Sequence, residues 1–260
     1  MFGCVSLKEV NQYTASSITS LHKINDLNYD FSDYCQRDCE LKQLRAGQID
    51  TLYVCSCEGL ATKADEAIQQ IHSTITSYLD AIHQLSDNKP FVYNVSNLTG
   101  ALQENPLLNL SSDQVNVYTK AGNFIATAAT AFYRKKKLSL YLQEADPVFQ
   151  DLTETFIFLI GRLKSQLRTD YDLRMTNIYQ MKDNNQNKDF RQMLVKLFLD
   201  ERAYYKKHDA RIDSYITLLQ TVKKGHHELY LQRDDLKNHK IKELIKHYSE
   251  DIQDIVADAH

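Results

Sequence analysis

The sequence predicts an all-α protein, an elongated antiparallel bundle of about five or six long helices with coiled-coil-like packing. Three observations carry that prediction. Only 7 glycines and 3 prolines punctuate 260 residues, so the chain has few places to turn and its elements must be long. Apolar residues recur at steps of three and four through most of the chain, the period of one helical face. The one candidate extended piece, Phe91-Val92-Tyr93, has no evident strand partner.

A first helix is expected from about Ser6 into the early thirties, on Val10, Tyr13, Ser17, Leu21 and Ile24. A continuation through Cys35 and Leu41 to Leu44 fits the same pattern. The stretch from Ala46 to Glu58, with Gly47, reads as a connection. The second helix is the clearest: Ala61, Ala64, Ile68, Ile71, Ile75, Tyr78, Ile82 and Leu85 form an unbroken stripe that should stop near Asp87-Asn88, before Pro90. Residues 88–112 form the longest irregular segment. A third helix, capped by Ser111-Ser112-Asp113 and rich in alanine between Ala121 and Ala131, is expected to run to about Glu144. Asp146-Pro147 should open a fourth, because Pro fits a first helical turn. The polar run from Asp183 to Asn187 reads as a turn. A fifth helix carries Phe198, Tyr205, Ile212 and Leu219 at heptad steps, and Gly225 should break or bend it before a final helix. The whole reads as a single elongated domain over residues 1–260.

Hydrophobic residues make up 43% and charged residues 25%, a balance that supports a folded core. The net charge of −3, with no strong basic excess in either half, disfavours a nucleic-acid partner. The longest apolar run, Phe156–Ile160, is far shorter than the roughly 20 residues a membrane span needs.

Cys35, Cys39, Cys55 and Cys57 cluster, while Cys4 stands apart. Within each doublet a direct bridge is unfavourable, so cross-pairing is the natural arrangement. If residues 39–55 form a hairpin, nesting gives Cys35–Cys57 outside and Cys39–Cys55 inside, a stapled hairpin over about residues 6–86. The same four thiols also suit a structural zinc site, although Cys-Ser-Cys is tighter than the usual ligand spacing.

Catalytic motifs leave little trace: there is no phosphate-binding glycine loop, nucleophile elbow or zincin motif. No catalytic residue, metal or cofactor is assigned, and an enzyme is the least expected class. His239, Glu243 and His247 share one helical face, but the surrounding lysines favour a solvated surface. His226-His227-Glu228, after Gly225, reads as capping or surface contact. Glu201 and His208 interrupt the apolar stripe of the fifth helix and need partners, which Asp170 or Arg174 are placed to supply. The run Arg134-Lys135-Lys136-Lys137 reads as a solvated face rather than a lipid site.

The start Met1-Phe2-Gly3-Cys4 resembles the end of a bacterial lipoprotein signal, in which a small residue precedes the cysteine to be lipidated. Met1 stands where that pattern usually has Leu, and the pattern implies a hydrophobic segment upstream. With the clustered cysteines and long helices, the chain looks like a cell-envelope lipoprotein of Gram-negative bacteria. The resemblance implies a lipid on Cys4, an N-terminal anchor over residues 1–5, and a body in the periplasm or at the outer membrane. The body would be a scaffold, spacer or binding module for a protein partner, with the disulfides near its membrane-proximal end. The sequence leaves its oligomeric state open. Two other classes remain: a cytoplasmic helical interaction protein holding zinc, and a helical pore-forming toxin inserting Phe156–Ile160 or the alanine-rich helix.

Overall fold

The structure is a computed structural model that describes residues 7–46, 55–87, 111–113, 116, 120, 136–184, 186–236 and 238–258. Among them the regular elements are all helical: α1 (Lys8–Leu21), a 3-10 turn (His22–Asp26), α2 (Phe31–Ala46), α3 (Leu60–Ser86), α4 (Lys136–Asp183), α5 (Lys188–Leu231) and α6 (His239–Asp258). The alanine-rich stretch of the expected third helix and Phe91–Tyr93 lie outside the described residues, while the expected end of that helix, up to Glu144, belongs to α4. So do Cys4 and the N-terminal anchor.

The long antiparallel hairpin of α4 and α5 is the backbone of the bundle. With 48 residues, α4 is about 72 Å long. α1 and α2 lie nearly end to end along it, antiparallel to α5. Tyr13 donates to the Val222 carbonyl at 2.6 Å and Tyr215 to the Leu21 carbonyl at 3.2 Å. His208 Nδ1 lies 2.9 Å from the Leu27 oxygen, which can only accept, so the ring donates. α3 folds back on α1, and α6 closes the remaining side through Ser249–Ser16 at 3.0 Å. The shared core includes Tyr13, Phe31, Ile71, Leu79, Phe149 and Phe156, all 2% exposed or less.

Three boundaries depart from the sequence reading, each for a local physical reason. The first helix is two helices. Asn28 adopts φ 48°, a left-handed conformation that Asn tolerates and a continuing helix does not. Asp30 and Asp33 then cap α2 reciprocally, each accepting the other's backbone N–H at 2.7 and 3.1 Å. Asp65, reaching over from α3, accepts the N–H groups of Phe31 and Ser32 at 2.8 and 3.0 Å.

The second departure is Pro147. It does not open a helix but sits inside α4, where losing an N–H and crowding the preceding turn costs about 3 kcal/mol. Leu142, Ala145, Phe149 and Leu152 on either side are buried, and their packing offsets that cost.

The third is Gly225. It neither breaks nor ends α5, which runs on to Leu231. A Cβ there would stand 2.6 Å from Tyr13 Cε2, so the glycine is the notch that admits the Tyr13 ring. The break before the last helix comes instead after Leu231.

The far end of the molecule is simpler. Past the end of α2, among the described residues, α4 and α5 continue together around a separate small cluster of Met175, Ile178 and Leu194. Asn187 caps α5 there, accepting from Asp189 and Phe190 N–H at 2.9 and 3.1 Å, which fits the expected turn at residues 183–187.

Candidate functional site

The cysteines pair as nesting requires: Cys35 with Cys57 and Cys39 with Cys55, at Cα separations of 5.7 and 5.9 Å. Cys35 and Cys39 lie one helical turn apart on α2, so both sulfurs face the segment leading into α3. Gly59, at φ 107°, makes the sharp turn from that segment into the helix. Bridged sulfurs offer no thiolate, so the zinc reading of these cysteines falls away. Two such bridges place the folded chain in an oxidising compartment.

Their position corrects one expectation. Tyr13 is level with Val222 and Arg37 with Glu201, a span of 21 residues on α5 or about 32 Å. The staple thus sits towards the tip, well away from the end where α1 begins.

Beside the staple lies the densest ionic cluster. Arg37 of α2 donates to Asp170 of α4 and Glu201 of α5, both at 2.6 Å. Arg174 binds the other Asp170 oxygen at 2.8 Å and reaches Glu201 at 3.5 Å. The Arg37 guanidinium also lies 4.1 Å above the Tyr204 ring. Burial alone would lower the Arg37 pKa, but the Asp170 and Glu201 carboxylates outweigh it and raise it. The network ties three helices at one level. It includes the Glu201–Arg174 contact that the interrupted stripe called for, whereas His208 is instead satisfied by a backbone carbonyl.

A second cluster escaped the sequence reading because its members are far apart in the chain. His226 is fully buried, with Nε2 2.6 Å from the Tyr78 hydroxyl and Nδ1 2.8 Å from Asp146 Oδ1. Tyr78 donates to Nε2 and Nδ1–H donates to Asp146, so the ring is neutral. His227 contributes an N–H to the other Asp146 oxygen at 2.9 Å. Burial would raise the Asp146 pKa, yet hydrogen bonds from both histidines leave it below its usual value. Burial lowers that of His226 and raises that of Tyr78. Tyr–His–Asp order suggests a proton relay, but Tyr78 and Asp146 are each 4% exposed. The triad holds α3, α4 and α5 together and offers no surface to a substrate. Its one sequence signal was the His226-His227 pair, read there as capping or surface contact.

A third buried histidine, His72, donates to the Leu21 carbonyl at the end of α1, 3.1 Å away. Burial and the neighbouring His22 push its pKa from 6.5 down to about 4. Below pH 6.5 the unfolded chain therefore takes up a proton that the folded chain refuses until about pH 4. Stability should fall across that window as pH drops, by up to about 1.4 kcal/mol per pH unit for this group. Urea unfolding at stepped pH checks this: His72→Gln should flatten the slope, and an unchanged slope would remove His72 as the cause.

A polar cleft near these groups, about 450 Å³, is lined by Asn25, Asn28, Asp30, Asp33 and Asp65 among others. Its carboxylates are occupied in capping α2, and burial raises the pKa of Asp33 and Asp65. His239, Glu243 and His247 are exposed on α6, and no group able to hold a metal ion occurs among the described residues. No described helix is long and apolar enough to cross a membrane. Phe156, Leu159 and Ile160 belong to the core.

No protein-family model, curated protein or solved structure matches this chain.

Proposed function

We propose that this chain is a non-enzymatic cell-envelope lipoprotein, anchored through a lipid on Cys4 and working as a helical spacer or scaffold for a protein partner. The observation that carries the reading is the partition of the cysteines. Four close a doubly bridged staple, which suits an oxidising compartment, and the fifth stands apart in the sequence, ahead of α1. From the level of Tyr13 to the start of α5 is 34 residues of helix, about 50 Å. An anchor at Cys4 would hold one end at a membrane and carry the tip that far from it. The polar clusters support a structural role, since their groups are satisfied by one another and largely withdrawn from solvent.

The test is intact and peptide mass spectrometry on unreduced protein expressed with any upstream coding region intact. A diacylglycerol-sized increment on the Cys4 peptide, and its loss with release from the membrane fraction in Cys4→Ala, are expected. An unmodified Cys4 in protein recovered from the soluble fraction would overturn the proposal.

A further inference from the structure

The outward side of the α4–α5 hairpin carries two stripes of opposite charge. On α4, Leu140, Glu144, Pro147, Asp151, Glu154 and Phe158 follow one another at steps of three and four, and all are exposed. On α5, Lys188, Arg191, Val195, Leu199, Arg202 and Lys206 do the same. Each stripe is about 27 Å long. Each also leaves large apolar groups in water: Leu140 is 50% and Phe158 39% exposed on one, Val195 and Leu199 53% each on the other.

Both stripes face away from the core. On α4 the buried positions Leu142, Phe149 and Phe156 lie roughly half a turn from the acidic stripe, and on α5 Leu194 and Ile212 lie well round from the basic one. Because the two helices are antiparallel, the stripes occupy opposite ends of one face. The acidic stripe begins beside the Asp146–His226 contact, and the basic stripe covers the tip as far as the Arg168–Tyr205 contact. Near the midpoint Lys164 bridges Asp209 and Asp213 at 3.4 and 2.6 Å.

We propose that this face is a homodimer interface, with a second copy turned end over end about a two-fold axis near Lys164. That rotation lays the acidic stripe of each copy on the basic stripe of its partner and forms both contacts at once; it also sets the two α1 ends at opposite ends of the dimer, so an anchor at each would engage two facing membranes. The apposed helices then run in the same direction. Pro147 meets Val195 of the second copy, Asp151 meets Leu199 between Lys196 and Arg202, with Asp200 alongside, and Glu154 meets Arg202. Glu154 also meets Lys223 of its own chain. The two contacts and the seam between them cover roughly 1,000 Å² per partner, enough for a standard interface of about 800 Å² per partner.

Charge decides for a second copy over a lipid surface. An anionic bilayer would attract the basic stripe and repel the acidic one on the same face, whereas a second copy uses both.

Sedimentation equilibrium on the full chain with its disulfides intact tests this, and does not depend on the state of Cys4. The wild type is expected to dimerise at low salt and to dissociate progressively as salt rises. Charge reversal at Arg191→Glu with Arg202→Glu, or at Glu144→Lys with Asp151→Lys, should each weaken the dimer at least about 30-fold. All four positions are exposed, so folding is expected to survive, with circular dichroism as the control. An equimolar mixture of the two variants should dimerise again, because a mixed pair has one native contact and one with both signs reversed. A wild type that stays monomeric up to roughly 100 µM, well above the range of specific interfaces, would overturn the proposal. So would variants that fail to re-associate on mixing. Capture of a monomeric wild type by vesicles with about 30 mol % anionic lipid, lost in the α5 variant, would assign the basic stripe to a lipid surface instead.

Discussion

Asp170→Ala is expected to lower the unfolding free energy by about 3–5 kcal/mol, the range for removing one member of a buried ion pair. Asp170 is 2% exposed and accepts from two guanidinium groups, of Arg37 and Arg174. Without it, Arg37 and Arg174 share Glu201, and Arg174 keeps only longer contacts, to Glu201 at 3.5 Å and to the exposed Glu40 at 3.6 Å. The loss comes from stranding charge more than from the attraction itself. A double replacement, Asp170→Leu with Arg37→Met, should therefore recover much of the stability by removing charge of both signs. Urea denaturation at pH 7, with equal slopes for all variants, is the measurement. A loss below about 1 kcal/mol for Asp170→Ala would class the network with ordinary surface pairs.

The disulfides give the second large effect, and it should be strongly non-additive. They enclose sequence separations of 22 and 16 residues, one inside the other. A single loop of about 15 residues contributes about 3 kcal/mol by restricting the unfolded chain. With the inner bridge in place, the outer one closes only a few further residues, so its own removal is worth less. Cys35→Ser with Cys57→Ser should cost under about 2 kcal/mol, and removal of both bridges about 4 kcal/mol. Urea midpoints of wild type, each single-bridge variant and the bridge-free chain decide the matter. If either single-bridge variant loses as much as the bridge-free chain, the two bridges do not share one loop in the way proposed. The bridge-free chain also loses the tether between α2 and the start of α3, next to the Asp65 cap.

The parts of this fold that were legible in the sequence are those whose causes are local. The stripe from Ala61 to Leu85 and the polar turn before Asn187 depend on residues within a few positions of one another. The cysteine pairing followed from spacing once a hairpin was assumed. The errors arose where tertiary packing overrode a local signal. Pro147 reads as a helix start until Phe149 and Leu152 are seen to be buried on the same line as Leu142. Gly225 reads as a break until the Tyr13 ring is seen to lie against it. Asn28 gave a weak signal for the division between α1 and α2, since Asn only tolerates the left-handed region that the turn needs. Glu201 announced its need for a partner by interrupting an apolar stripe, and Arg174 was foreseeable from the facing helix. The Tyr78–His226–Asp146 cluster was not, because its members lie 80 and 148 residues apart and no periodicity links them.

The small cluster of Met175, Ile178 and Leu194 has a consequence for how the molecule comes apart. Burial of each is worth about 2 kcal/mol, little against the entropy of ordering the two dozen or so residues around them. The last turns of α4 and α5 can therefore fray and re-close while the Tyr13–Phe149–Phe156 core stays shut, as a cooperative unit of their own. Resistance to opening is graded along the long axis, steepest where six helices share one interior and shallowest at the end that projects farthest.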